Sequence, residues 1–143
     1  MKTIITLLAI TAFFLPYYAI AEDECVDQHT GFNICSEARN LSEGLARQLP
    51  MQLSQRMTWD SVASYGNTLQ AHILFTYDRA YLDAISEAFG MPTSQMKEGV
   101  KNFAKGMCAE DAIEAFVFLG GRVRLVYRFS DGEKFTDVVV DDC

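Results

Sequence analysis

Positive charge is scarce in this sequence of 143 residues. It holds 12 lysines and arginines against 19 aspartates and glutamates, which gives a net charge of −7. Nucleic-acid phosphates require a basic surface, so this balance excludes nucleic acid as a partner. The length is enough for one domain with its own hydrophobic core and too short for two.

Recognisable catalytic and metal-binding motifs are absent as well. The sequence holds no G-x-S-x-G, no phosphate-binding loop, no dinucleotide fingerprint and no Cys-x-x-Cys pair. His29 falls in an acidic arm, and His72 falls on the outward face of a predicted strand. The paired acids Glu110-Asp111 and Asp141-Asp142 are typical of solvated surface. We therefore expect a protein that is not an enzyme and that holds no metal or cofactor.

Residues 1–21 carry the pattern of a secretory signal peptide. Lys2 provides the positive start, Ile4 to Leu15 form a short apolar stretch, and Ala19-Ile20-Ala21 fits a cleavage site. No cysteine stands at the predicted cut, so a lipid anchor is not indicated. We expect residues 22–143 to form one exported domain without a membrane span, periplasmic or alternatively secreted.

All four cysteines lie in the predicted exported domain. They are Cys25, Cys35, Cys108 and Cys143. An even number of cysteines in an exported chain predicts disulfide bonds, and four cysteines allow three pairings that sequence alone does not separate. Closure of short loops favours Cys25–Cys35 together with Cys108–Cys143.

Hydrophobic periodicity predicts an α+β domain. We expect an antiparallel sheet of about four strands, built from two hairpins, with helices packed on one side. The predicted elements are a helix from Glu37 to about Gln48 capped by Ser36, a hairpin from Gln55 to Tyr77, helices over Asp78 to Phe89, Thr93 to Met107 and Glu110 to Leu119, and a hairpin from Arg122 to Val140.

In the first predicted hairpin, apolar and polar residues alternate so that the odd-numbered residues of both strands face inward. Residues paired across a hairpin share a face, so a two-residue loop would pair odd with even. We therefore predict the three-residue loop Gly66-Asn67-Thr68. This loop sets Trp59 opposite Phe75 and Ala63 opposite Ala71. The inward residues of the first strand are then Met57, Trp59, Ala63 and Tyr65.

The second hairpin turns at Asp131-Gly132, a strong two-residue turn signal. Its inward pairs are Val123 with Val140, Leu125 with Val138 and Tyr127 with Thr136. The outer face then carries the candidate partner-binding residues Arg122, Arg124, Arg128 and Phe135. Arginines beside an aromatic residue suit an acidic or amphipathic protein partner. Alternatively, these side chains pair with local acids and protect an edge strand.

The order of segments from Leu41 to the C-terminus matches a known arrangement. A stretch ending in Leu49-Pro50 is followed by a hairpin, the segment Met107-Cys108-Ala109-Glu110-Asp111, an apolar run to Gly120, a hairpin and the final Cys143. Over about residues 36–143 this order resembles the beta-class pilotins of bacterial type II secretion systems. The resemblance implies a periplasmic α+β fold with a Cys108–Cys143 disulfide. It also implies a protein that binds a C-terminal segment of the secretin and helps it assemble in the outer membrane.

Two functions are consistent with these patterns. The first is a non-enzymatic, exported binding or assembly protein with a pilotin-like fold, which holds a helix or strand of a protein partner. The alternative is an inhibitor or immunity protein against an exported hydrolase or toxin, because acidic charge steers a protein toward basic enzymes.

Overall fold

The computed structural model describes residues 25–27 and 29–143, which form a five-stranded sheet with helices on one face. The signal peptide predicted for residues 1–21 lies outside the described residues. The helices are α1 (Ile34–Ala46), α2 (Arg79–Phe89), α3 (Thr93–Gly106) and α4 (Asp111–Phe118), with a 3₁₀ turn at Met107–Ala109. The strands are β1 (Met51–Ser54), β2 (Met57–Tyr65), β3 (Thr68–Phe75), β4 (Arg122–Arg128) and β5 (Lys134–Val140).

The sheet confirms the α+β class and both predicted hairpins, and it adds two features. Its strand order is β1-β2-β3-β4-β5, and the short strand β1 is a fifth strand on the β2 edge. β3 and β4 run parallel, whereas the other neighbouring pairs run antiparallel. Parallel neighbours need a long crossover, which α2, α3 and α4 supply.

The first hairpin has a different register from the predicted one. Tyr65 pairs with Thr68, so the loop has two residues, and Gly66 takes the positive φ of 58° that the turn requires. The extra residue is Asp60, which forms a bulge because Trp59 pairs with Ile73 and Ser61 already pairs with His72.

The predicted three-residue loop and its pairings, Trp59 with Phe75 and Ala63 with Ala71, are therefore wrong. Trp59 remains buried, but the bulge reverses the faces beyond it. Ala63 pairs with Gln70, and Tyr65 is 62% exposed rather than inward.

The second hairpin confirms the predicted pairs Val123 with Val140, Leu125 with Val138 and Tyr127 with Thr136. The predicted two-residue turn is wrong, because the Phe129 N–H donates to the Glu133 carbonyl and the loop holds the three residues 130–132. Arg128 then pairs with Lys134, which leaves Phe135 without a partner across the ladder. Phe135 turns into the core, where its ring lies 5.6 Å from that of Phe75 and 5.5 Å from that of Phe129. The predicted position of Phe135 on the outer face is therefore wrong.

At the starts of α1 and α2, a side-chain oxygen accepts a hydrogen bond from a backbone N–H of the first turn. Asp78 caps α2 as predicted, since its carboxylate accepts a hydrogen bond of 2.9 Å from the Tyr81 N–H. At α1 the cap is Asn33, whose side chain accepts from the Ser36 N–H at 2.9 Å. Ser36 therefore lies inside the first turn, and its predicted capping role is wrong.

The two disulfides have the favoured pairing. Cys25–Cys35, with Cα atoms 5.3 Å apart, fastens the leading arm to the start of α1. Cys108–Cys143, with Cα atoms 5.6 Å apart, fastens the C-terminus to the 3₁₀ turn after α3. Each bond thus joins a segment outside the sheet to a helical segment beside it.

The core lies between the helices and one face of the sheet, but the helices contribute unequally. α1 buries Ile34 and Ala38, and α4 buries Ile113, Phe116 and Val117. α2 and α3 bury one residue each, Leu82 and Ala104. The crossover helices α2 and α3 therefore add little to the core, although the sheet residues beside them, Ile73, Phe75 and Leu125, are at most 5% exposed.

Gly121 gives a test of the packing between α4 and β4. An alanine Cβ there would lie 2.5 Å from the buried ring of Phe116, so Gly121→Ala should destabilise the fold by about 1–3 kcal/mol. Gly44→Ala is the matched control, because its Cβ meets nothing and alanine favours a helix by about 0.5–1 kcal/mol. Urea unfolding measures the stability of both variants, and equal stabilities of Gly121→Ala and Gly44→Ala would contradict the close contact between Gly121 and Phe116.

Candidate functional site

An apolar groove runs along the helix side of the sheet and consists of two adjoining cavities. The first, of about 390 Å³, lies between α2, α3 and the ends of β2 and β3. The second, of about 510 Å³, lies between α1, α3, α4 and the middle of the sheet. Phe103 lines both and is 42% exposed, so the cavities meet at its ring. We call the two cavities together the groove.

The groove is lined almost entirely by hydrocarbon and thioether side chains. Met57, Phe75, Leu82, Ile85, Met96, Val100 and Phe135 line the first cavity, and Leu41, Leu45, Met51, Leu53, Trp59, Ile73, Met107, Ile113 and Leu125 line the second. Methionine occurs in pairs, with two at each end. Because methionine is flexible and polarizable, such a lining adapts to different apolar partners.

The spacing of the helices keeps the groove open. α1 packs on β2 and β3, whereas α3 packs on β5. Gly99 of α3 faces the first cavity, and no atom lies within 4 Å of the position where a Cβ would stand. The first cavity is therefore not filled by side chains on the Gly99 side of α3.

Two charged side chains lie among the lining residues, one in each cavity. Arg56 belongs to the first cavity, where its guanidinium donates to the Tyr81 hydroxyl and lies 5.0 Å from the centre of that ring. Glu110 belongs to the second cavity and makes no capping hydrogen bond with its side chain. Within residues 25–27 and 29–143, neither forms a salt bridge.

Tyrosine hydroxyls add polar groups at the Arg56 end. Tyr77 stacks on Phe75 with ring centres 5.0 Å apart, and burial raises the pKa of its hydroxyl. Its phenol therefore stays neutral at physiological pH, so Arg56 is the cationic group facing this end of the groove.

The outer face of the sheet carries the predicted arginine row Arg122, Arg124 and Arg128. Arg124 forms a salt bridge with Asp137 at 2.6 Å, and Arg128 donates to the Gly132 carbonyl at 2.9 Å. Arg122 is exposed and has no salt bridge in the part of the chain that the structure describes. Phe135 lies on the opposite face, so the four candidate partner-binding residues do not meet.

The histidines are separate from the groove. His29 lies in an exposed turn whose backbone N–H bonds to Asp27, and hydrogen bonds from Thr30 and His29 hold the pKa of Asp27 below its usual value. The Nε2 atom of His72 lies 3.0 Å from the side-chain nitrogen of Gln70 on the same strand. Among the described residues, no three His, Cys, Asp or Glu side chains are grouped as metal ligands. No described helix has the length and hydropathy of a membrane span.

The chain has a pilotin-like fold, as the sequence resemblance predicted. Two solved structures that share this fold are pilotins of Vibrio type II secretion systems. EpsS from Vibrio vulnificus has a TM-score of 0.58 and 17% identity, over 75% of this chain and 86% of that one. AspS from Vibrio cholerae has a TM-score of 0.56 and 18% identity, over 75% of this chain and 87% of that one.

A third similar structure, described as a candidate secreted protein, comes from Pseudomonas aeruginosa. It has a TM-score of 0.54 and 10% identity, over 76% of this chain and 92% of that one. No protein-family model matches the sequence, and no curated protein sequence matches it significantly. At these identities the similarity establishes the fold, and function has to be argued from the groove.

The ion pairs of Asp137 predict a pH dependence of stability. Hydrogen bonds from Lys134 and Arg124 hold the pKa of Asp137 below its ordinary value of 3.8. A lowered pKa in the folded state stabilises the protein above the ordinary pKa, and this stabilisation is lost as pH falls through the folded pKa. Urea unfolding should therefore show Asp137→Asn less stable than wild type at neutral pH, with a gap that narrows below about pH 4.

Arg124→Gln is the control for that measurement, because it removes one partner and keeps the carboxylate. It should lessen the same pH-dependent stability in part, since Lys134 lies 2.6 Å from Asp137 and still pairs with it. A gap between wild type and Asp137→Asn that stays constant into strong acid would contradict this assignment.

Proposed function

We propose that this protein is a non-enzymatic, exported accessory protein that binds an amphipathic helix of a protein partner in the groove. The observation that carries the proposal is an open apolar groove, bounded by α1 and α3 and floored by the sheet, in a pilotin-like fold. Half-buried apolar side chains around the exposed ring of Phe103 are typical of a protein-binding site. An amphipathic helix covers such a groove with one face and keeps its other face in water.

The dimensions of the groove suit a helix of about three turns. Met96, Val100, Phe103 and Met107 follow the spacing of one helix face, and they line the groove from end to end. Met96 and Met107 are separated by about 16 Å along α3 at 1.5 Å per residue. A guest helix of about eleven residues matches this length and presents three or four apolar anchors.

The proposed compartment follows from cysteine chemistry and the signal-like N-terminus. Both disulfides need an oxidising environment to persist, which an exported protein meets. The sequence of residues 1–21 supplies the matching export signal. Together they support a periplasmic location, with secretion as the alternative.

The partner proposed first is a segment of a secretin, because the resemblance to beta-class pilotins implies it. An exported hydrolase or toxin is the partner that the inhibitor alternative requires. The arginine row is proposed as a second contact surface, and Arg122 is its most accessible member because it is exposed and makes no described salt bridge.

Site-specific photo-crosslinking tests the groove in the native cell envelope. Benzoylphenylalanine placed at Phe103 should crosslink one amphipathic segment of one protein, which mass spectrometry then identifies. The matched control is the same residue at Phe118, an aromatic position on α4 that is 87% exposed and lines neither cavity of the groove. A secretin segment captured at 103 supports the pilotin-like role, and a hydrolase or toxin there moves the assignment to the inhibitor. Capture from position 118 with none from position 103 contradicts the groove.

The affinity of the Phe103→Asp variant for the captured segment tests the groove quantitatively. Loss of an aromatic anchor from the middle of an interface costs about 2 kcal/mol or more, so affinity for the captured segment should fall at least about 30-fold. Phe103 lies outside the buried core, so urea unfolding should show nearly unchanged stability. Arg122→Glu measures the arginine row in the same assay, and an unchanged affinity would remove that row from the interface.

A further inference from the structure

The two ends of the groove carry opposite charge. Arg56 is the charged lining residue of the first cavity, and Glu110 is that of the second. Lys97 adds to the positive end, since its ammonium lies 5.8 Å from the centre of the Phe135 ring that lines the first cavity. Glu110 is exposed, and no salt bridge among the described residues neutralises it.

The bounding helices contribute unequally to this polarity, because Lys105 in the last turn of α3 offsets the partial negative charge at that end. The N-terminal half of α3 borders the first cavity, and its C-terminal end borders the second through Met107. The start of α3 has no side-chain cap and no acidic residue in its first turn, so its partial positive charge is not neutralised locally. α1 presents its C-terminal half to the second cavity through Leu41 and Leu45.

One helix end works against this pattern and is outweighed. The N-terminus of α4 lies at the second cavity and contributes a partial positive charge of about half a unit. Glu110, the N-cap residue of α4, carries a full negative charge at that same end and lines the cavity. The second cavity therefore remains the negative end.

We infer that the groove binds its partner helix in one direction, with the helix N-terminus at Glu110 and an acidic C-terminal turn at Arg56. This inference rests on the proposed function, because it specifies the polarity of the same guest helix. In this direction the guest lies antiparallel to α3, so the two helix dipoles attract. The guest's partial negative end and any carboxylate in its last turn meet the guanidinium, which keeps donors free beyond the one given to Tyr81.

The guest chemistry follows from the same arrangement. Its apolar face faces Phe103 and the methionines, its first turn carries basic or neutral side chains, and its last turn carries at least one carboxylate. A guest of reversed charge would place like charges together at both ends. Exposed contacts of this size change affinity by severalfold each, so the two ends together should separate the two guests by about five- to tenfold.

Two synthetic helical peptides of about 15 residues test this direction. They share one leucine face; one has lysines in the first turn and glutamates in the last, and the other has these charges exchanged. Benzophenone abstracts hydrogen preferentially from methionine, so a benzophenone in the last turn of the first peptide should label Met57 or Met96. The same group in its first turn should label Met51 or Met107, since these methionines line the second cavity.

Charge reversal in the protein provides the energetic test. The double variant Arg56→Glu, Glu110→Lys should prefer the peptide that wild-type protein binds less well. Each peptide is compared with itself on the two proteins, so a difference in helicity between the peptides does not affect the result. Arg39→Glu combined with Glu43→Lys is the matched control, because both residues are exposed on α1 and line neither cavity.

The possible results separate the inference from the function on which it rests. Labelling of Met51 or Met107 from the last turn, or equal labelling of both ends, overturns the direction while the groove remains a helix site. A preference that charge reversal leaves unchanged overturns the roles of Arg56 and Glu110. Failure of both peptides to bind wild-type protein, while they remain helical alone, counts against the proposed function itself.

Discussion

The parallel pairing of β3 with β4 is the constraint on which the rest of the structure depends. Two parallel neighbours cannot be joined by a tight turn, so the chain must leave the end of β3 and return to the start of β4. α2, α3 and α4 make this return on the same side of the sheet as α1. The sheet face between α1 and α3 therefore depends on the crossover for its cover, and its residues Ile73 and Leu125 are only 1% exposed while Phe103 of the crossover is 42% exposed.

A few contacts hold the crossover in place without closing that space. The Tyr127 hydroxyl on β4 donates to the Val100 carbonyl of α3 at 3.4 Å, and burial raises the pKa of Tyr127 to about 12. The hydroxyl thus keeps its proton at physiological pH and remains a donor. Ala104 packs fully into the core, and the Cys108–Cys143 bond fixes the end of α3. These anchors lie along one side of α3, which leaves Phe103 free to face the groove.

Local features were predictable from the sequence, whereas features that depend on distant packing were not. The Asp78 cap and the disulfide pairing each depend on residues near in sequence or on short loop closure. The bulge at Asp60 was not predictable, because an odd residue in a hairpin satisfies the alternation equally well in the loop or in the strand. The same ambiguity placed Phe135 on the wrong face. The methionines were the sequence signal for the groove, but periodicity does not distinguish a residue that fills a core from one that lines an open space.

An open apolar groove has a thermodynamic cost that the rest of the fold must offset. Each apolar side chain left in contact with water forgoes the stabilisation that its burial would give, about 25 cal/mol per Å². The aromatic cluster of Phe75, Tyr127, Phe129 and Phe135, together with two disulfides, supplies stability elsewhere in the chain. Larger side chains along the groove would recover some of this burial, and alanine at Gly99, which lines the first cavity, would meet no atom within 4 Å outside its own helix. A groove that stays open, apolar along its length and oppositely charged at its ends is physically consistent with a surface that a partner helix completes.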